Sequence, residues 1–237
     1  MDKEEVQICE LLANSAEQPL AHHLFAVGYV AFSLAGRLVN TKSIAVSAFI
    51  AGCFHDLGKL DPQFQLWLTK KLKGESGTQL PDNGVHIERG RFSFENHPRH
   101  NEISVMLYSL LVKGDDLNKR ILRNHIPHTI YWHHTKPYRK IGYKTLKDIF
   151  KIFSGSLKAD KIEHIYDKAI ALIEQIATLA NGYDASLPSL PDIYKKLDIE
   201  NIDGIHLPPY KSYSEHNEEL NEYDKEINEN SINNLVR

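Results

Sequence analysis

His55 and Asp56 stand side by side in residues 51–65, AGCFHDLGKLDPQFQ, where a run of small and apolar residues gives way to turn and charge. An imidazole and a carboxylate at the end of a buried helix can hold metal, and one carboxylate can bridge two ions about 3.5–4 Å apart. The chain has 13 histidines, and several sit where they would converge on this pair. His23 falls early in a helix with a clear apolar face, with His22 as its competitor. His100 precedes a second helical pattern, with His97 as its rival. His133 and His134 are adjacent at a helix-to-loop junction. Neighbouring residues of a regular helix point about 100° apart, so one ion does not easily take both. At a helix end they can serve two ions, or an ion and a substrate. Nitrogen-rich ligation with one bridging carboxylate favours Mn, Fe, Co, Ni or Zn over Mg. Neither Cys9 nor Cys53 lies in a zinc-type pair, so the site would stay open to water, as catalytic metal sites do.

The elements that must carry these residues are helical. Val6 to Ala13 reads as a short amphipathic helix stopped by Asn14–Ser15. Pro19 opens a helix in which Leu20, Leu24, Val27, Ala31, Leu34 and Leu38 recur at helical spacing. Ile44 to Phe54 is apolar almost all round and is expected to be a central buried helix ending at His55–Asp56. Asp61–Pro62 starts another. Residues 74–99 turn to Gly, Ser, Pro, Asn and charge, and a loop that long usually has a functional reason. Helical patterns resume over Ser104–Val112, Leu117 to about His125 with an interruption at Pro127, Leu146–Phe153, and Ile162–Ala180 ended by Asn181–Gly182. No alternating strand pattern and no repeat occurs, so the expected fold is all-α.

The 237 residues, 42% hydrophobic and 25% charged, can bury a sizeable core. Residues 1–185 are expected to form that core and 186–237 a proline-punctuated extension with an acidic tail. Net charge is −3, so nucleic-acid binding would need a local basic patch. Lys136, Arg139, Lys140 and Lys144 open such a run, with Tyr138 and Tyr143 among them. It reads either as a track for a single strand or, given Asp148, Asp160 and Glu163 nearby, as a solvated helix face. The polar N-terminus does not fit a signal peptide and no long apolar run fits a membrane span, which leaves a reducing cytoplasm as the expected location.

Together the motifs resemble the HD superfamily of metal-dependent phosphohydrolases. His55–Asp56–Leu–Gly58–Lys59 followed by Phe64–Gln65, then His100-x-x-x-Ser104 and the His133–His134 pair, resembles the HD nuclease of type I CRISPR systems, the nuclease part of a helicase-nuclease. The resemblance spans about residues 20–135 and implies an HD-domain helical bundle. It implies His23, His55, Asp56, His100, His133 and His134 as ligands of one or two divalent ions (Mn, Fe, Co, Ni or Mg). It also implies catalytic roles for Asp56 and for Lys59, which would face the scissile phosphate. The implied activity is hydrolysis of single-stranded DNA, with RNA left open, in antiviral defence, and the lack of a base-reading motif predicts sequence-independent cleavage. The implied partners are a CRISPR helicase, fused or separate, and the RNA-guided surveillance complex. Phe64 is expected to pack; Gln65 is open to either role.

One departure stands out. The family pattern includes a later Asp, after a short apolar run and before a Ser, and Asp160, Asp184, Asp203 and Asp224 all lack that context. Leu235–Val236–Arg237 looks like its lead-in, so the chain is expected to be cut from something longer, unless one of those four aspartates has taken the role. Two rivals share the same ligands. One is a phosphohydrolase of nucleotides or cyclic dinucleotides. The other is a metal-poor, catalytically impaired HD domain that serves as a docking module.

Overall fold

The computed structural model describes residues 11–38, 42–73, 98–113, 125–133, 146–156 and 160–197. Among them the chain forms seven α-helices and a short 3₁₀ turn, with no strands beyond two isolated backbone bridges. The all-α HD-bundle expectation therefore holds. The expected loop at 74–99 lies almost wholly outside the described residues, as does the helix expected over Leu117 to about His125.

Helix α1 (Leu20–Leu38) buries Leu20, Ala21, Leu24, Gly28 and Ala35, one stripe at helical spacing. It lies along α2 (Lys42–Phe54), which is buried continuously from Phe49 to Phe54. The two helices cross at glycines. A Cβ on Gly52 would meet Gly28 Cα at 2.6 Å, and one on Gly28 would meet Cys53 Sγ at 2.5 Å, so the contact is backbone against backbone. After α2 comes the 3₁₀ turn Leu57–Leu60, anchored by buried Leu57 and Leu60. Asp61 then caps α3 (Pro62–Leu72): its carboxylate accepts from Gln63 N at 3.1 Å and Phe64 N at 3.3 Å, while Pro62 occupies the first helical position, which needs no N–H.

Helix α4 (His100–Leu111) is buried at every residue from Asn101 to Leu111 except Ser109, so it shares the central role expected of α2. It starts four residues earlier than the apolar pattern indicates, because Asn101, Glu102 and Ser104 are polar yet buried, and it begins with His100 itself. Helix α5 (Ile126–Trp132) carries Pro127 in its first turn, where proline starts a helix rather than interrupting one. Helix α6 (Leu146–Ser156) packs on α4 through buried Leu146, Ile149 and Phe153. Helix α7 (Asp160–Tyr183) presents Ile165, Ala169, Leu172 and Ile176 to α1 and α4 and runs past Asn181–Gly182. Residues beyond it fold back on the core, with Tyr194 N donating to Leu111 O at 2.7 Å and Lys113 N to Asp192 O at 2.9 Å.

One expected element is corrected. The helix placed over Val6–Ala13 does not extend through Leu11–Ala13, since Leu12 bridges to Pro19 and Ala13 N donates to Gln18 O at 2.8 Å. The turn at Asn14 folds the chain back on itself, and Glu17 takes a left-handed backbone (φ 56°) within it. Among the described residues no helix is long and apolar enough to cross a membrane.

Candidate metal centre

Five elements deliver side chains to one point. The glycine crossing sets α1 against α2 so closely that His23, one and a half turns before Gly28, and His55, just past Gly52, bring their rings to 5.3 Å. The 3₁₀ turn is pressed equally closely on α4. A Cβ on Gly58 would fall 2.0 Å from His100 O and 2.8 Å from Ser104 N. Ser104, wholly buried, fastens that contact: its Oγ accepts from Gly58 N at 2.7 Å and donates to His100 O at 2.8 Å. The spacing of His100 and Ser104 is thus one helical turn, with the serine holding the histidine's carbonyl to the turn that carries Lys59. Asn101 does the same for α5. Its Nδ2 donates to Tyr131 O at 2.6 Å, two residues before His133.

Asp56 is at the centre, with its side chain 4% exposed. Its Oδ2 lies 3.2 Å from His23 Nε2, 3.2 Å from His55 Nε2 and 2.7 Å from Lys59 Nζ. Its Oδ1 lies 3.3 Å from both His100 Nε2 and His133 Nε2. Two groups have metal-ligand spacing, His23–His55–Asp56 and Asp56–His100–His133, and Asp56 belongs to both. Burial alone would push the Asp56 carboxyl up. Hydrogen bonds with His100, His133, His23 and His55 outweigh it and hold the group well below the usual carboxylate range. Burial lowers His100 despite the pull of Asp56, which favours its neutral, ligating form.

The outer nitrogens decide whether these residues fit a cation. His55 Nδ1 is 2.7 Å from Gly52 O and His133 Nδ1 is 2.6 Å from Ile130 O. A carbonyl only accepts, so each Nδ1 carries a proton; a ring with a second proton on Nε2 hydrogen-bonds Asp56 in the metal-free chain, and a ring that gives it up turns a lone pair toward an ionised carboxylate. Acceptor facing acceptor is unfavourable unless positive charge lies between them. A divalent ion supplies it, and the outer hydrogen bonds are those that orient metal-bound histidines. The donor set fits the ion.

The structure brings together His23, His55, Asp56, Lys59, His100 and His133. His22 is exposed and belongs to neither ligand group. His97, His134, Lys136, Arg139, Lys140 and Lys144 lie outside the described residues. Of the four aspartates considered for the missing position, Asp184 has a described side chain. It belongs to neither group, being exposed and accepting from Ser186 N at 2.8 Å. Phe64 packs beside His100, ring centroids 6.0 Å apart, with Lys59 Nζ 5.8 Å from its own ring centre. Gln65 is a fastener: its amide exchanges two hydrogen bonds with the Leu12 backbone (3.0 and 2.9 Å) and donates to Lys59 O at 2.7 Å. Sequence reading missed Gln18, Asn101 and the two helix-end carbonyls as supporting groups.

Residues 11–188 match the family model described as "Cas3, HD domain", a stretch that contains every residue of the cluster. No curated protein and no solved structure matches the chain.

Proposed function

The chain belongs to the Cas3 HD-domain family of metal-dependent nucleases, and from that premise we propose that it hydrolyses phosphodiester bonds of single-stranded DNA at the Asp56 centre. The observation that supports this most is one buried carboxylate shared by two histidine pairs. His23 and His55 would hold one divalent ion, His100 and His133 a second, with Asp56 common to both and His134 a further ligand or substrate contact. When bound, such ions lower the pKa of water and neutralise charge on phosphate oxygens. The chain's own residues do the rest. Asp56 fixes the spacing of the two pairs, and the outer hydrogen bonds of His23, His55 and His133 leave their Nε2 atoms to the centre. Lys59 neutralises Asp56 until a phosphate draws its ammonium away, and then offsets charge growing on that phosphate. Among the described residues the cluster has no nucleophilic side chain: Ser104 is buried and already engaged at both its donor and an acceptor position. Lys136, Arg139, Lys140 and Lys144 would hold the strand's backbone without reading sequence. The partners in this reading are a CRISPR helicase and an RNA-guided surveillance complex.

The test is cleavage of end-labelled single-stranded DNA by the purified chain with Mn, Ni, Co or Mg, alongside Asp56→Ala. We expect metal-dependent cleavage that falls to background in the variant. Faster turnover of mononucleotides or cyclic dinucleotides than of oligomers would replace the reading with a small-molecule phosphohydrolase. Intact DNA with every metal, together with no bound transition metal, would leave a docking module.

A further inference from the structure

His23 differs from His55 and His133 in what holds its outer nitrogen. His55 and His133 use carbonyls three residues back at their own helix ends, a device inseparable from the helix. His23 Nδ1 faces a side chain, Gln18 Oε1, at 3.2 Å. An amide can present oxygen or nitrogen, so which atom faces His23 decides the ring's tautomer. That choice is fixed two links away. Ala16 N, a backbone donor with no alternative, lies 3.0 Å from Asn14 Oδ1. Asn14 must therefore turn its Nδ2 to Gln18, 3.0 Å away, and Gln18 must answer with Oε1. The same oxygen then accepts from His23 Nδ1–H, so Nε2 is the nitrogen left to Asp56 and to an ion. The loop carrying Asn14 and Gln18 is not loose. Gln65 ties it at Leu12 to the turn bearing Lys59, and Ala13 N and Leu20 N close it with backbone bonds of 2.8 Å each.

We propose that the relay Ala16–Asn14–Gln18 sets the tautomer of His23 and so governs the His23–His55–Asp56 cation site separately from the Asp56–His100–His133 site. Asn14 and Gln18 are positioning residues that touch no ion. The proposal rests on the two-ion reading above for its consequence, but whether Nδ1 of His23 carries a proton is a property of the metal-free chain.

Two readouts on the full chain test it. The first is the pair of ring ¹⁵N shifts of His23 without metal, assigned against a His23→Gln spectrum. The second is Mn or Co binding by titration. Wild type is expected to show His23 protonated at Nδ1. Gln18→Glu keeps the acceptor and should keep both tautomer and binding. Gln18→Leu removes it, mixing the tautomers and weakening one of two ions by about 10–100-fold while the other binds as before. Asn14→Asp is the sharpest variant, because it never touches His23. The new carboxylate still accepts from Ala16 N but cannot donate, so the Gln18 amide turns its NH₂ outward and drives the proton of His23 to Nε2, where it blocks the ion. Unfolding curves overlaying wild type identify the variants as folded. A His23 tautomer indifferent to Asn14→Asp and Gln18→Leu overturns the relay, and equal weakening of both ions overturns the separation of the sites. A chain that binds no ion, yet whose His23 follows these substitutions, sinks the two-ion reading and the proposed control of a cation site, while the tautomer relay stands.

Discussion

Gly58→Ala is the perturbation that most directly probes how the centre is assembled. A Cβ there would sit 2.0 Å from His100 O and 2.8 Å from Ser104 N, both backbone atoms of α4 that cannot swing aside. To reach ordinary contact near 3.4 Å, the 3₁₀ turn and α4 must separate by more than about 1 Å, against a tolerance of about 0.5 Å for a preorganised site. That movement breaks the 2.7 Å bond from Gly58 N to Ser104 Oγ and pulls Asp56 from His100. Overpacking costs about 1–3 kcal/mol, and the stranded buried N–H about 1–3 kcal/mol more. For a chain of this length each kcal/mol moves the midpoint about 2–4 °C, so Tm should fall by roughly 4–24 °C. Ser104→Ala separates the two contributions: it adds no atom at the close approach, loses the Oγ bonds to Gly58 N and His100 O, and should cost about 1–3 kcal/mol. Thermal unfolding of the metal-free chain and Mn titration are the assays. If Gly58→Ala melts with wild type and binds metal as tightly, the turn does not set the Asp56–His100 distance.

Two further outcomes follow from the same geometry. Gly52→Ala would thrust a Cβ to within 2.6 Å of Gly28 Cα, so it should cost about 1–3 kcal/mol and weaken the His23–His55–Asp56 site more than its neighbour, counted as ions bound per chain. Gly36→Ala on the open side of α1, where a Cβ meets nothing within 4 Å, should be neutral or stabilising by up to about 1 kcal/mol; equal losses from both would remove the crossing from the account. Stability of the metal-free chain should also fall in two stages on acidification. The unfolded chain protonates its His100 position near the ordinary 6.5 while burial lowers the folded group, so stability starts to drop below that pH. Asp56, held low when folded, contributes fully above its ordinary 3.8, and that contribution is lost as pH falls toward its folded value. Chemical denaturation across this range should show the lower stage vanish in Asp56→Asn while the upper one persists.

What could be read in the chain and what could not divide along a physical line. Apolar spacing located α1 and α7 because burial of one face repeats every three or four residues, and α2 stood out because it is apolar almost all round. The adjacency of His55 and Asp56 was visible because both ligand types fall within one turn of chain, whereas Gly58 and Ser104 stood out only through the family motifs they complete. The start of α4 was misplaced because its first turn is buried for polar reasons: Asn101 bonds Tyr131 O across 30 residues and Ser104 bonds Gly58 N across 46. Gln65 reaches Leu12 over 53. Hydrogen bonds between distant segments leave no periodicity, and a glutamine serving as a fastener looks like any glutamine on a surface.

This division bears on how the centre relates to the fold. Local sequence supplies the His55–Asp56 pair, but His23, His100 and His133 arrive from three other helices, each located by a contact that tolerates almost no added atom or by a buried polar bond. Five nitrogen groups around one buried carboxylate therefore exist only in the folded chain. Lys59 and the imidazoles meet the charge of Asp56 without metal, so the fold need not wait for an ion, yet an ion that satisfies both triads binds the native state far better than the unfolded one. Its binding free energy is then largely stabilisation of this packing. The same close packing that fixes the ligands also makes the centre's affinity depend on residues such as Gly52, Gly58 and Ser104, which touch no ion at all.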